Sequence, residues 1–313
     1  MRIVFMGTPA FATASLKALI EAGEEIVAVV TAPDRAAGRG QKLKQSDVKQ
    51  FAEARQLKVL QPQKLKSPEF TEKLRELDPD LIVVVAFRML PREVWLLPEY
   101  GTINLHASLL PQYRGAAPIN WAIINGEKTT GITTFFINED IDTGDLIMQD
   151  EVAIEDSDNA GSLHDKLMAQ GARLVVKTVK AIAAGNAPGI PQKKSGKLRA
   201  APKIFREDTR INWHQSAEKV HDFIRGLSPY PGASSKIKQN SDTLSVKIYE
   251  SKPGEACSGG KEGMIRVDDK KHLYVACSDR WLEIRELQPA GKRKMLVSDF
   301  LNGTQLEDGA KMT

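Results

Sequence analysis

The sequence predicts an α/β protein in which a Rossmann-like, mostly parallel sheet domain is followed by a small closed β-barrel. Three observations carry that class. Arg2 to Met6, Pro9 to Ile20 and Ile26 to Val30 read in turn as strand, helix and strand, turning at Gly7, which is how a parallel sheet opens. Leu81-Ile-Val-Val-Val-Ala86 is a continuous apolar run rich in β-branched residues, as expected of a strand buried on both faces. Later the apolar period becomes two: Leu244, Val246 and Ile248, then Ile265 and Val267, Leu273, Val275 and Cys277, and Leu282 and Ile284 alternate with polar residues between short turns.

Length and composition bound the rest. A chain of 313 residues is too long for one typical domain, and the division expected is a first domain over 1–189, a basic linker over 190–207 and the barrel over 208–313. Hydrophobic residues at 42% and charged residues at 27% exclude a disordered chain. No apolar run approaches the roughly 18 to 20 residues that span a bilayer, and Met1 to Gly7 reads as a strand entering a turn rather than a signal peptide. Cys257 and Cys277 have no pairing or metal spacing, so a soluble protein of the reducing cytoplasm is expected. The net charge of +4 points to a polyanionic partner only where it is concentrated.

The elements follow in order. The helix from Pro9 carries apolar residues at helical spacing and has Gly23 just beyond its end, while the turn Gly7-Thr-Pro-Ala-Phe-Ala lacks the glycines that admit a pyrophosphate, which excludes a nicotinamide dinucleotide site. From Pro33 to Lys49 there is no periodicity; Asp34 to Lys44 holds four Lys/Arg against one Asp and reads as a mobile loop, which charge alone makes a solvated surface feature. Ser46 caps a helix over Val48–Leu57, Lys58 to Leu60 is a short strand, and Pro68 to Leu77 is a helix. After the strand at 81–86 comes the turn Phe87–Pro91, and then a strand over Gly101–His106. Gly115 to Ile124 starts a helix whose small residues permit close backbone approach. Gly131–Ile137 and Asp145–Val152 flank a turn holding Asp142, and Asp158 to Ala184 is one long amphipathic helix. From Gly185 to Arg210 the composition shifts, with seven Lys/Arg against two acids across Lys193–Arg210, a pattern equally suited to a solvated linker and to tracking a phosphate backbone.

The chemistry concentrates in the strand at 101–106. Ile103 and Leu105 alternate with Asn104 and His106, so the amide and the imidazole share one face. Asn offers a neutral donor where negative charge develops, and His carries a proton near neutral pH. Asp142, in Asp142-Thr-Gly144, supplies a carboxylate at a turn between two strands.

Asn104-x-His106, Ser108-Leu-Leu-Pro111 and the Asp142-x-Gly144 turn together resemble the signature of the folate-dependent formyltransferases. The resemblance implies that Asn104, His106 and Asp142 are catalytic. It also implies that Ser108, Leu109, Leu110 and Pro111, with Phe87, Met89 and Leu90, line the folate pocket. The co-substrate implied is 10-formyltetrahydrofolate, with no metal. Within the family, a basic loop of this form belongs to the members that act on methionyl-tRNA, in which it contacts the acceptor arm. Arg35, Arg39, Lys42 and Lys44 are the tRNA contacts so implied, with Arg39 central, and Lys193 and Lys194 in the basic linker extend them. The Pro229-Tyr-Pro231-Gly-Ala opening of the second domain belongs to the same resemblance, which makes the barrel an OB-like, tRNA-binding one. The reaction implied is formylation of the α-amine of initiator methionyl-tRNA by a cytoplasmic monomer that contacts no membrane.

Rival readings are weaker. A serine hydrolase drafting Ser108, His106 and Asp142 lacks the Gly-x-Ser-x-Gly elbow that exposes a nucleophile. His164, His214, His221 and His272 are scattered without ligand spacing. A non-catalytic RNA-binding protein leaves the Asn, His and Asp unexplained. A formyltransferase acting on an amino-sugar nucleotide is the nearest alternative, although such enzymes do not usually carry the basic loop.

Overall fold

The computed structural model describes residues 1–37, 42–193, 196–257, 260–269, 271–307 and 309–313. These fall into two compact units. The first comprises Met1–Gly115, Thr129–Ala153 and His164–Ala200, and the second Ala116–Lys128, Ile154–Leu163 and Ala201–Thr313. The chain therefore crosses between the units several times, where the sequence suggested one division.

The first unit begins with β1 (Arg2–Gly7), α1 (Ala10–Glu21) and β2 (Glu25–Val30), followed by β3 (Arg35–Ala37), β4 (Lys42–Lys44), α2 (Asp47–Glu53) and β5 (Val59–Leu60). It continues with α3 (Pro68–Glu76), β6 (Leu81–Val85), α4 (Arg92–Trp95), β7 (Thr102–His106) and β8 (Arg114–Gly115). α5 (Pro118–Ile124) belongs to the second unit; β9 (Thr129–Phe136), β10 (Leu146–Ala153) and most of α6 (Ala160–Ala183) belong to the first.

A seven-stranded sheet runs β10-β9-β7-β6-β1-β2-β5. The pairs from β7 to β5 are parallel, and β9 and β10 are antiparallel additions at the β7 edge. Every residue of β6 is buried, as its unbroken apolar run requires, and Ile3 to Met6 of β1 are fully buried beside it. Ser46 and Ser67 cap α2 and α3 by accepting the N–H groups of Lys49 and Phe70, with Pro68 at the start of α3. These elements agree with the sequence-based expectation.

Two expectations change. The basic stretch is not a structureless loop: β3 and β4 pair antiparallel, Arg35 opposite Lys44 and Ala37 opposite Lys42, because alternate extended residues satisfy each other's backbone groups. The helix expected from Gly115 starts at Pro118, since Ala117 is non-helical and proline fills the first helical position, where no N–H is needed.

The second unit holds β11 (Ala200–Ala201) in part, then α7 (Ala217–Gly226), β12 (Ala233–Gln239), β13 (Asp242–Ala256), β14 (Ile265–Asp268), β15 (His272–Ala276), β16 (Arg280–Pro289), β17 (Met295–Leu296), α8 (Val297–Asn302) and β18 (Lys311–Met312). The antiparallel order is β14-β15-β16-β13-β12-β18. The sheet curls into a half-barrel whose ends meet through isolated contacts: Met264 bridges Lys311, the Ile265 N–H donates to the Ala310 carbonyl, and the Met312 N–H donates to that of Gly263. The enclosed core includes Val246, Ile248, Leu273, Val275, Leu282 and Ile284, the alternating set read from the sequence, together with Val220 and Ile224 of α7.

Candidate active site

The site lies at the carboxyl end of β7 in the first unit. Ile103 and Leu105 are buried, which turns Asn104 and His106 to the other face, where Asn104 is half-buried and His106 is 7% exposed. Asn104 is opposite Val84 of β6 and Phe135 of β9, and its side chain has no hydrogen-bond partner among the described residues. Its donor is therefore available.

His106 is held by the peptide of Tyr113, since Nε2 lies 2.8 Å from the Tyr113 carbonyl oxygen. A carbonyl only accepts, so Nε2 carries a proton and Nδ1 is the nitrogen left for chemistry. Nδ1 lies 3.7 Å from Oδ2 of Asp142, too far for a hydrogen bond and close enough for the carboxylate to stabilise the ring when Nδ1 is protonated. The imidazole is seated by the Tyr113 peptide, and one oxygen of the Asp142 carboxylate is committed elsewhere. Its Oδ2 accepts the Gly115 N–H at 2.9 Å, and its Oδ1 has no partner among the described residues.

The backbone around these groups is held against its preferences. Ala86, at the end of β6, Tyr113 and Asp142 have φ of 47°, 59° and 55°, a left-handed conformation that non-glycine residues adopt at a cost of about 1–3 kcal/mol each. The Asp142 turn is fastened by Asn138, whose Oδ1 accepts from the Asp140 N–H at 3.2 Å and from the Thr143 hydroxyl at 2.8 Å. Gly144 closes it: a Cβ there would stand 1.6 Å from the Phe136 carbonyl oxygen, so no other residue fits without moving the strand. Gln192 then donates to the carbonyls of Asp142 and Gly144 at 2.9 and 2.8 Å.

The Ser108–Pro111 loop is set by polar contacts that turn inward. Ser108 is fully buried and its hydroxyl donates to the Gln112 carbonyl at 2.6 Å, so it is no exposed nucleophile and the hydrolase reading has no support. Thr133 donates to the Ser108 carbonyl at 2.6 Å and accepts from the Leu110 N–H, while Gln149 donates to the Leu110 carbonyl at 2.9 Å. Leu110 is buried; Leu109 and Pro111 are half-buried, with Leu109 lying against Gly131, where a Cβ would come within 2.5 Å of it. Of the turn after β6, Leu90 is buried, Phe87 is half-buried against the same core, and Met89 is 67% exposed. Phe87 and Met89 thus keep apolar surface uncovered.

Among the expected tRNA contacts, the Arg35, Lys44 and Lys193 side chains are exposed and Lys42 lies in β4. Arg39 and Lys194 lie outside the described residues. The second unit has its own basic groove of about 1200 Å³, lined by Lys203, Arg206, Arg210, Lys236 and Lys247 with the exposed rings of Phe205 and Tyr230. Among the described residues, no three His, Cys, Asp or Glu side chains converge as metal ligands.

Sequence reasoning gave no site role to Tyr113, Thr133, Gln149 or Gln192, and read Gly115 only as the start of a helix that permits close backbone approach. Tyr113 and Gly115 act through backbone groups, and the other three are neutral polar residues in segments without a motif.

Residues 1–179 match the family described as formyl transferase, and residues 203–305 match the formyl transferase C-terminal domain. The chain is 51% identical over 316 residues to a methionyl-tRNA formyltransferase of Bacteroides fragilis, covering 100% of this chain and 98% of that protein. In structure it is similar to HypX from Aquifex aeolicus in complex with tetrahydrofolic acid, with a TM-score of 0.65 and 21% identity over 96% of this chain and 47% of that one. It is equally similar to an N-formyltransferase from Helicobacter canadensis bound to folinic acid and dTDP-3-aminofucose, with a TM-score of 0.65 and 19% identity over 94% of this chain and 100% of that one.

Proposed function

The chain belongs to the formyl transferase family, and we infer from this membership that it transfers the formyl group of 10-formyltetrahydrofolate to the α-amine of initiator methionyl-tRNA. The observation that carries the mechanism is the convergence at the end of β7: an unpartnered amide on Asn104, a bare Nδ1 on His106, and a carboxylate 3.7 Å from that nitrogen. The amine attacks the formyl carbon, negative charge grows on the formyl oxygen, and the tetrahedral intermediate collapses by cleavage of the C–N10 bond, the amine losing a proton and the departing N10 gaining one. Asn104 donates to the growing oxyanion, an interaction worth roughly 3 kcal/mol when such a donor is preorganised. Asp142 takes the amine proton on its free Oδ1. The proton passes from Asp142 to the bare Nδ1 of His106, which presents it to the oxyanion and delivers it to N10, and the nearby carboxylate stabilises the imidazolium while it exists.

The co-substrate fits the residues assigned to it. A pterin ring needs apolar faces and a few fixed backbone contacts, and the Phe87–Leu90 turn and the Ser108–Pro111 loop supply both kinds of group. For the tRNA, the reading is that residues 1–189 catalyse, 190–207 form a basic linker with Lys193 and Lys194, and 208–313 form an OB-like domain that binds RNA. Arg35, Arg39, Lys42 and Lys44 reach the acceptor arm. Exposed cations and exposed rings together, as in the groove with Phe205 and Tyr230, suit a phosphate backbone carrying unpaired bases. No helix among the described residues is long and apolar enough to cross a membrane, and the reading is of a cytoplasmic monomer.

An amino-sugar nucleotide is the competing acceptor. The methionyl-tRNA reading is favoured by 51% identity to a methionyl-tRNA enzyme over essentially the whole chain, against 19% to the sugar enzyme. The test is to incubate purified protein with 10-formyltetrahydrofolate and either charged initiator tRNA or a dTDP-amino sugar. Formylmethionyl-tRNA alone is expected; formylation of the sugar alone, or of neither, overturns the assignment.

A further inference from the structure

We infer that Gln192 is a positioning residue of the transfer step, an inference that rests on the role just given to Asp142. Gln192 follows α6 in the basic segment. Its amide has two donor hydrogens and two acceptor sites, and all four are used. Nε2 donates to the carbonyls of Asp142 and Gly144, and Oε1 accepts from Nε and Nη2 of Arg114 at 3.2 and 2.5 Å. Flipping the amide would set its oxygen against two carbonyls and its NH2 against a guanidinium, so the orientation is fixed.

The location gives this clamp its consequence. Arg114 stands between Tyr113, whose carbonyl seats Nε2 of His106, and Gly115, whose N–H seats Oδ2 of Asp142. One side chain therefore ties the turn that carries the carboxylate to the peptides that hold both reacting groups. Asp142 is in the left-handed region at φ 55°, which a non-glycine residue keeps only where its surroundings hold it. Among the described residues, no group other than Gln192 donates to the Asp142 carbonyl. Without it the Asp142 backbone relaxes, and the carboxylate leaves its place beside Nδ1 while every catalytic side chain is still present.

The test uses the full chain with Gln192→Ala and the near-isosteric Gln192→Glu, which keeps an acceptor for Arg114 and turns a carboxylate oxygen on the two carbonyls. A misplacement of about 1 Å at a reacting group costs up to about a hundredfold, so both variants are expected to lower kcat about tenfold to a hundredfold. KM for 10-formyltetrahydrofolate and for methionyl-tRNA stays within about twofold, because the contacts that bind both substrates alike in ground and transition states are untouched. In an Asp142→Asn background Gln192→Ala is expected to cost nothing more, since no carboxylate remains to be placed. Unchanged kcat, a rise in KM without a fall in kcat, or the same fold loss in the Asp142→Asn background overturns the inference, as does loss of the native melting transition in both variants, which makes Gln192 structural. Wild-type turnover in Asp142→Asn alone overturns instead the role of Asp142 on which the inference rests.

Discussion

Replacing His106 by Gln separates the two jobs of the imidazole. Glutamine carries an amide donor near the position of Nε2 and so can keep the bond to the Tyr113 carbonyl, 2.8 Å away in the native site. It has nothing at the position of Nδ1, 3.7 Å from Asp142 Oδ2. Fold retention and proton chemistry are thereby uncoupled. An imidazolium and a carboxylate at that separation attract by about 4 kcal/mol at an effective dielectric of about 20, which is suited to two side chains so little exposed. That energy corresponds to about a thousandfold in rate, within the roughly 100- to 10,000-fold range of a positioned acid or base. Single-turnover formation of formylmethionyl-tRNA, with a thermal melt on each preparation, is the assay. Turnover of His106→Gln within about tenfold of wild type, at an unchanged melting temperature, would refute the use of Nδ1. Because His106 and Asp142 act as a unit, His106→Gln with Asp142→Asn is expected to be no slower than the slower single variant, and multiplying losses would contradict the shared proton.

Two further outcomes follow from the same structure. Asn104→Ala removes a half-buried, unpartnered donor and leaves no orphaned group, so kcat is expected to fall about 100- to 1,000-fold with the melting temperature nearly unchanged; a fall below tenfold would take Asn104 out of the oxyanion site. In the second unit, burial pushes the His221 imidazole below its ordinary value, with the Arg225 guanidinium as the next cause. The unfolded chain then binds more protons between the depressed folded value and the unfolded value of about 6.5, so the stability conferred by neutral His221 is present above 6.5 and is lost as pH falls through the folded value. Melts from pH 7.5 to 5 should show a shallower decline in His221→Asn than in wild type, and parallel curves would remove His221 as a cause of acid sensitivity.

The fold was legible in the sequence wherever burial imposes a period. β6 declared itself because both faces are covered, and the second unit did so because one face of each strand is covered. The basic ribbon was not legible, because the three-residue segments Arg35–Ala37 and Lys42–Lys44 are too short to show a period in the sequence and pair through backbone groups that no side chain announces. The interleaving of the two units was equally hidden: Ala116–Lys128 is short and apolar, and nothing in such a helix names the core it joins.

The site divides along the same line. Asn104, His106 and Asp142 could be named from the sequence because their chemistry resides in side chains, and a strand's alternation puts the first two on one face. What places them resides in peptides: the Tyr113 carbonyl chooses which imidazole nitrogen is free, the Gly115 N–H fixes one carboxylate oxygen, and the left-handed backbone at Tyr113 and Asp142 aims both. A carbonyl or an N–H is present in nearly every residue, so sequence carries no record of which ones are aimed at a catalyst. Ser108 shows the converse. Its hydroxyl is the most reactive-looking group in the signature, yet it is spent inside the loop on the Gln112 carbonyl, and its contribution to the site is the shape of the Ser108–Pro111 turn. Substitutions at the positions flanking Tyr113 should therefore act on the imidazole without touching it, because the peptide that fixes its tautomer is the one their side chains hold in place.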